Sequence, residues 1–277
     1  MFNIFGVFFI FNAQFLILLY TILYMGNNRK KIWLVVGLII GLVIIIYLNR
    51  AYANIYNTIG AANLEPVNLA GSYLVSNNMP DTTEITYVAL GDSLMAGAGV
   101  DAPEESLPYL LAQKMSETGK TIDLKNFSVP GFKSSDLIID LLPKAVAANP
   151  TVVTLLIGAN DIHNQVSEED FRENYSHILD RLTKETQAKI YVINIPFIGA
   201  DIMMLPPYGA YFKHQTEKFN KIIKELASER SLSYIDLYSP SLSLFQKPGD
   251  HYSSDLFHPS ARGYKIWADI IYDSISK

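Results

Sequence analysis

The chain has no cysteine, and that one absence removes disulfides, thiolate metal sites and cysteine nucleophiles together. Beyond residue 83 there is no run of Lys or Arg, and that part carries a net charge of −7, which argues against nucleic acid as a partner. Gly91 to Gly99 offers neither a G-x-G-x-x-G pattern nor a P-loop, which argues against nucleotide binding. The G-x-S-x-G elbow of the large α/β-hydrolase class is also missing. None of His163, His177, His214 and His251 stands at metal-ligand spacing with an Asp or Glu, so no zinc site is expected.

Charge is scarce at the front. Residues 1–83 hold only Arg29, Lys30, Lys31 and Arg50 against Glu65 and Asp81, a net of +2. Residues 2–25 and 32–48 contain no charge at all, and each approaches the length needed to cross a hydrocarbon core of about 30 Å. Two transmembrane helices are expected there, the first the weaker because Asn12 and Gln14 fall near its middle. Basic loops stay on the cytoplasmic side, so Arg29, Lys30 and Lys31 put the rest of the chain outside: a multi-pass cell-membrane protein with an extracytoplasmic domain. A cleaved signal peptide fits poorly, since its basic residues should precede the apolar run. Residues 49–83, with scattered Asn, Gly and Pro, read as a connector.

From residue 84 to 277, short β-rich runs alternate with longer amphipathic stretches, the pattern of a parallel sheet covered by helices. Strands are expected at 85–90, 122–129, 152–157, 190–195 and 232–237. Helices are expected at 107–115, 137–146, 171–182, 219–226 and 264–275. Ligands in such sheets bind beyond the carboxyl ends of the strands. The polar signals gather there: Gly91-Asp92-Ser93 after the first strand, Pro130-Gly131-Phe132 after the second, Gly158-Ala159-Asn160-Asp161 after the third, and Asp255-Leu256-Phe257-His258-Pro259 before the last helix.

Each segment has a plain reading. Ser93 serves as a helix N-cap as readily as a nucleophile, Asn160 and Asp161 suit a turn, and His258 suits a surface position. Their co-location on one edge favours chemistry. A serine nucleophile needs a base, a group that orients the base, and donors for the oxyanion. Asp255 and His258, three residues apart, supply the second and the first. The N–H of Ser93, the N–H of Gly131 and the side-chain amide of Asn160 supply the third.

With these four blocks in this order, residues 84–277 resemble the GDSL, or SGNH, family of serine ester hydrolases. Gly91-Asp92-Ser93-Leu94 is similar to the family's nucleophile block, Asn126 to Gly131 to the second, Gly158 to Asp161 to the third, and Asp255 to Pro259 to the last. The resemblance implies a three-layer α/β/α, flavodoxin-like fold with a five-stranded parallel sheet, and esterase or lipase activity without metal or organic cofactor. It also implies Ser93, Asp255 and His258 as the triad, with Gly131 and Asn160 as oxyanion donors.

The stretch from Pro196 to Phe212 is unusually apolar for a loop. Phe197, Met203, Met204, Leu205 and Tyr208 are expected to line an acyl pocket or meet the membrane, which favours a lipid or lysophospholipid ester, with packing against the last helix as the alternative. Deacetylation or acyl transfer on cell-surface glycan esters is the enzymatic alternative. A membrane-tethered interaction domain is the other, although such a domain is expected to have lost Ser93, Asn160, Asp255 or His258, and all four are present. The sequence leaves the oligomeric state open.

Overall fold

The computed structural model describes residues 28–61, 69–76 and 84–276. The expected first span, residues 2–25, lies outside them. The chain divides into two compact units, Met1–Ala53 and Asn54–Lys277.

Helix α1 runs from Asn28 to Ala61 without a proline. Over Asn28–Ile59 it has a mean hydropathy of 2.7, and among the described residues it is the one helix long and apolar enough to cross a membrane. Its Ile32, Trp33, Leu42 and Val43 side chains are exposed. A hydrocarbon solvent suits such a surface, because a helix satisfies its backbone polar groups internally.

The second unit is built on a sheet of order β1-β3-β2-β4-β5-β6. Its strands are β1 (Gly71–Val75), β2 (Glu84–Gly91), β3 (Thr121–Asn126), β4 (Val152–Leu156), β5 (Lys189–Ile193) and β6 (Ser233–Ile235). Along β2, Tyr87 and Ala89 join one core and Val88 and Leu90 the other, so the period-2 alternation feeds two apolar layers. On one face Leu107, Leu111 and Met115 of α3 (Leu107–Ser116) pack with Trp267 and Ile271 of α10 (Ala261–Ile275). On the other face lie Leu137 of α4 (Ser134–Asp140), Leu142 and Ala145 of α5 (Leu142–Ala147), Phe171 and Ile178 of α7 (Glu168–Glu185), and Phe219 and Ile223 of α8 (Tyr208–Glu229). Three short elements complete the set: α2 (Ser93–Ala96), α6 (Ala159–His163) and α9 (Tyr238–Phe245).

Two expectations need correction. Among the described residues the sheet has six strands, because β1 pairs antiparallel with β3, Gly71 opposite Asn126 and Val75 opposite Ile122. Five residues with one buried side chain at the end leave too weak a period to stand out within a polar connector. The single helix expected over 137–146 is two helices, with Pro143 in the first turn of α5. Proline there costs no hydrogen bond, since a first-turn N–H has no intrahelical acceptor.

β2 to β6 are mutually parallel along β3-β2-β4-β5-β6. Their carboxyl ends therefore share one edge, and the loops carrying Ser93, Gly131 and Asn160 leave from it.

Candidate active site

Ser93 is the first residue of α2, immediately beyond β2. The cap is Asp92: its Oδ1 accepts from the Leu94 N–H at 3.0 Å. The N-cap reading of Ser93 therefore falls, and its hydroxyl is committed elsewhere. Ser93 Oγ lies 3.0 Å from Nε2 of His258.

The opposite ring nitrogen of His258, Nδ1, lies 2.6 Å from Oδ2 of Asp255. A carboxylate only accepts, so Nδ1 is the donor to Asp255, and in the neutral ring that leaves Nε2 to accept from the Ser93 hydroxyl. Asp255 is wholly buried. Burial alone raises its pKa. The His258 hydrogen bond and charge, the Ser253 hydroxyl and the Phe257 N–H outweigh that and hold the carboxyl below its ordinary value. Ser253 Oγ donates to Oδ1 at 2.6 Å, and the backbone N–H groups of Phe257 and His258 donate to the same oxygen at 2.9 and 2.8 Å. Four donors thus fix one carboxylate in its charged form.

Two of the three oxyanion candidates lie on segments that one hydrogen bond joins. Asn160 Nδ2 donates to the carbonyl of Phe132 at 3.1 Å, which orients the amide and joins its segment to the loop holding Gly131. A primary amide has a second N–H, so this bond leaves one to give. Gly131 is exposed, with φ +84°, a left-handed conformation that favours glycine, and a Cβ there would meet nothing within 4 Å. The space beside it is open to a ligand.

Asp161, next to Asn160, is wholly buried and serves as support. Its carboxylate accepts from the Ser134 N–H at 2.9 Å and the Ser134 hydroxyl at 2.5 Å, fastening α6 to α4. Burial raises its pKa despite those bonds. Asp92 is less well provided. Its Oδ2 has no hydrogen-bond partner among the described residues, and burial, helped by the charge of Asp161 and opposed by the Leu94 N–H, pushes its pKa up to about 7.

Of the expected pocket residues, Met203 is wholly buried. Phe197, Met204, Leu205 and Tyr208 are partly buried, and Tyr208 opens α8 instead of lying in a loop. The stretch is joined to the His258 segment by the Ala200 N–H, which donates to the Leu256 carbonyl at 3.0 Å. His251, the rival base, is engaged elsewhere: its Nε2 donates to the Lys247 carbonyl at 3.1 Å and its ring packs edge-on against Phe245. Ser253 and Ser134 were not among the sequence candidates. A serine two residues before a candidate aspartate is the only signal the first one gave.

A serine at the carboxyl edge of a parallel sheet, hydrogen-bonded to a histidine that an aspartate holds, has the geometry of a serine hydrolase, and the family match narrows that class to the ester hydrolases. The chain belongs to the GDSL-like lipase/acylhydrolase family, whose model matches residues 89–266. It is 25% identical over 211 residues to the spore germination lipase LipC of Bacillus licheniformis, a match covering 67% of this chain and 93% of that one. A lipase/acylhydrolase from Enterococcus faecalis superposes with a TM-score of 0.55 at 24% identity, over 69% of this chain and 95% of its own. An acetylxylan esterase from Geobacillus stearothermophilus gives 0.55 at 18% identity, over 70% and 94%. At those identities the two structures speak to the fold.

Proposed function

We propose that the protein hydrolyses carboxylic esters through an acyl-enzyme on Ser93. The observation that carries this reading is the relay from Asp255 Oδ2 to His258 Nδ1 at 2.6 Å and from His258 Nε2 to Ser93 Oγ at 3.0 Å. Ser93 Oγ attacks the ester carbonyl as Nε2 takes its proton. The charged imidazole that results is stabilised by an Asp255 already held ionised. The N–H of Ser93, the N–H of Gly131 and Nδ2 of Asn160 receive the oxyanion, and each such donor is worth roughly 10²- to 10³-fold in kcat. His258 then protonates the departing alkoxide, and water repeats the sequence on the acyl-serine with the same base.

The substrate is a lipid or lysophospholipid acyl ester. Support comes from Ile202, 60% exposed, and Tyr211, 40% exposed, on a stretch fastened to the His258 segment. The likeness to a protein named as a lipase points the same way. α1 anchors the domain, and Arg29, Lys30 and Lys31 ahead of its apolar run put the site on the extracytoplasmic side.

The test is full-length protein assayed on acyl esters from two to sixteen carbons beside Ser93→Ala. Rising kcat/KM to eight carbons or more, absent in the variant, is the expected result. Turnover confined to acetyl esters overturns the lipid assignment, and turnover equal to that of Ser93→Ala on every ester overturns the enzyme.

A further inference from the structure

The last turns of α1, from Asn54 on, belong to the same compact unit as the site and touch α6 and the stretch that is joined to the His258 segment. Asn54 Nδ2 donates to the carbonyls of Ile202 at 3.3 Å and Met203 at 3.1 Å. Ile55, next along, is wholly buried. The Tyr56 hydroxyl lies 2.9 Å from His163 Nε2, and the His163 ring stacks on Phe212 with centroids 5.9 Å apart. Burial lowers the pKa of His163, which favours a neutral ring facing that hydroxyl.

Each contact leads a short way into the site. The N–H groups of Met203 and Met204 donate to the Ala200 carbonyl at 2.8 and 3.1 Å, and the Ala200 N–H donates to Leu256 at 3.0 Å. Leu256 lies between Asp255 and His258, with a left-handed φ of 55°, a conformation that side chains hold only when neighbours enforce it. On the other side, His163 is the last residue of α6, one turn past Asn160. One end of one helix therefore holds α6 directly through Tyr56, and the base-bearing segment at one remove, through Asn54 and the Ala200 to Met204 turn.

We propose that Asn54 and Tyr56 are positioning residues for ester hydrolysis, fixing the His258 segment relative to α6, so that the helix carrying the apolar span is part of the catalytic apparatus as well as an anchor. The proposal rests on the roles assigned above to Ser93, His258 and Asn160. Transition-state geometry is the sensitive quantity, because misplacement by about 1 Å costs on the order of 10²-fold in rate. Asn54 holds the acyl-facing stretch by backbone carbonyls alone, and a short butyryl ester reaches little of that stretch, so the loss is expected on kcat.

The experiment measures p-nitrophenyl butyrate kinetics and thermal melts on full-length protein in detergent. The variants are the pair Asn54→Ala with Tyr56→Phe, the exposed-site control Asn57→Ala, and Ser93→Ala. The pair is expected to lower kcat about tenfold with KM within about twofold, while Asn57→Ala matches wild type. Folded pair variant with kcat within about twofold of wild type, beside an inactive Ser93→Ala, overturns the positioning role alone, and so does a rise in KM at constant kcat. Wild-type turnover by Ser93→Ala removes the underlying catalytic reading and the inference with it. Should the pair unfold at the assay temperature, Tyr56→Phe, which keeps the ring, decides: kcat reduced about threefold or more supports the role, and unchanged kcat overturns it.

Discussion

Asp255 holds His258 twice, by the ring Nδ1 at 2.6 Å and by the backbone N–H at 2.8 Å. One contact sets the tautomer and the other sets the path of the chain that delivers the ring. Asp255→Asn keeps the shape but presents an amide that no longer holds the proton on Nδ1. In steady-state assays kcat is expected to fall roughly 10³- to 10⁴-fold with KM little changed. A loss below about tenfold would mean that Asp255 does not orient the base.

Asp92 and Asp255 move stability in opposite directions with pH. Asp255 has a folded pKa below its unfolded value, so its contribution is present above the ordinary carboxyl range and is lost as pH falls through the folded value. Asp92 is raised to about 7, so its contribution is full below the unfolded value near 4 and is lost as pH rises toward 7. Asp92→Asn, which imitates the neutral acid, should therefore melt higher than wild type at pH 8 by more than it does at pH 5. Equal differences at the two pH values would show that Asp92 is not the titrating group.

Gly99 is the point where the nucleophile loop meets the histidine segment. It has φ +97°, and a Cβ there would lie 2.5 Å from the Pro259 carbonyl oxygen and 3.0 Å from His258 Cβ. Backbone cannot yield as a flexible side chain can, so Gly99→Ala must displace His258 or distort the loop. A stability loss of about 1–3 kcal/mol in denaturant melts, with kcat reduced more than about tenfold, is expected. Wild-type kinetics in this variant would mean that the loop has slack that the contacts do not suggest.

Removing residues 1–83 should harm the domain although no candidate catalytic residue is lost. Such a chain lacks β1, which covers the edge of β3, and lacks Asn54 to Ala61. It also lacks Leu69 and Val75, both buried in the core. An uncovered edge strand invites pairing with another chain. Size-exclusion chromatography is expected to show aggregation of residues 84–277, or thermal melts a lower melting temperature, relative to residues 54–277. Equal behaviour would assign the connector no structural role.

Legibility in the sequence followed periodicity. β2, β4 and β5 are short, dense in β-branched and aromatic residues and bounded by polar turns, so their positions could be read to within a residue or two. β1 has one buried residue of five and drew no such signal. At the site, Ser93, Asp255 and His258 stood out only together, as parts of four spaced blocks that resemble a known family, and the structure brings the three within hydrogen-bond reach. What could not be read was support. Ser134 and Asp161 meet across 27 positions, and Tyr56 and His163 across 107, with no local pattern to mark either pair. The cap stayed open for a local reason: Asp92 and Ser93 are both good N-caps, and only the geometry shows that Asp92 takes the Leu94 N–H and frees the serine.

The central claim is that the Ser93 hydroxyl is an activated nucleophile. It is tested most directly by exposing the full-length protein to a fluorophosphonate and recording intact mass and the modified peptide. A single adduct on Ser93, absent in Ser93→Ala and slowed at least about a hundredfold in His258→Ala, is the predicted result. Wild-type protein left unmodified, or modified at another residue with Ser93 untouched, would contradict it.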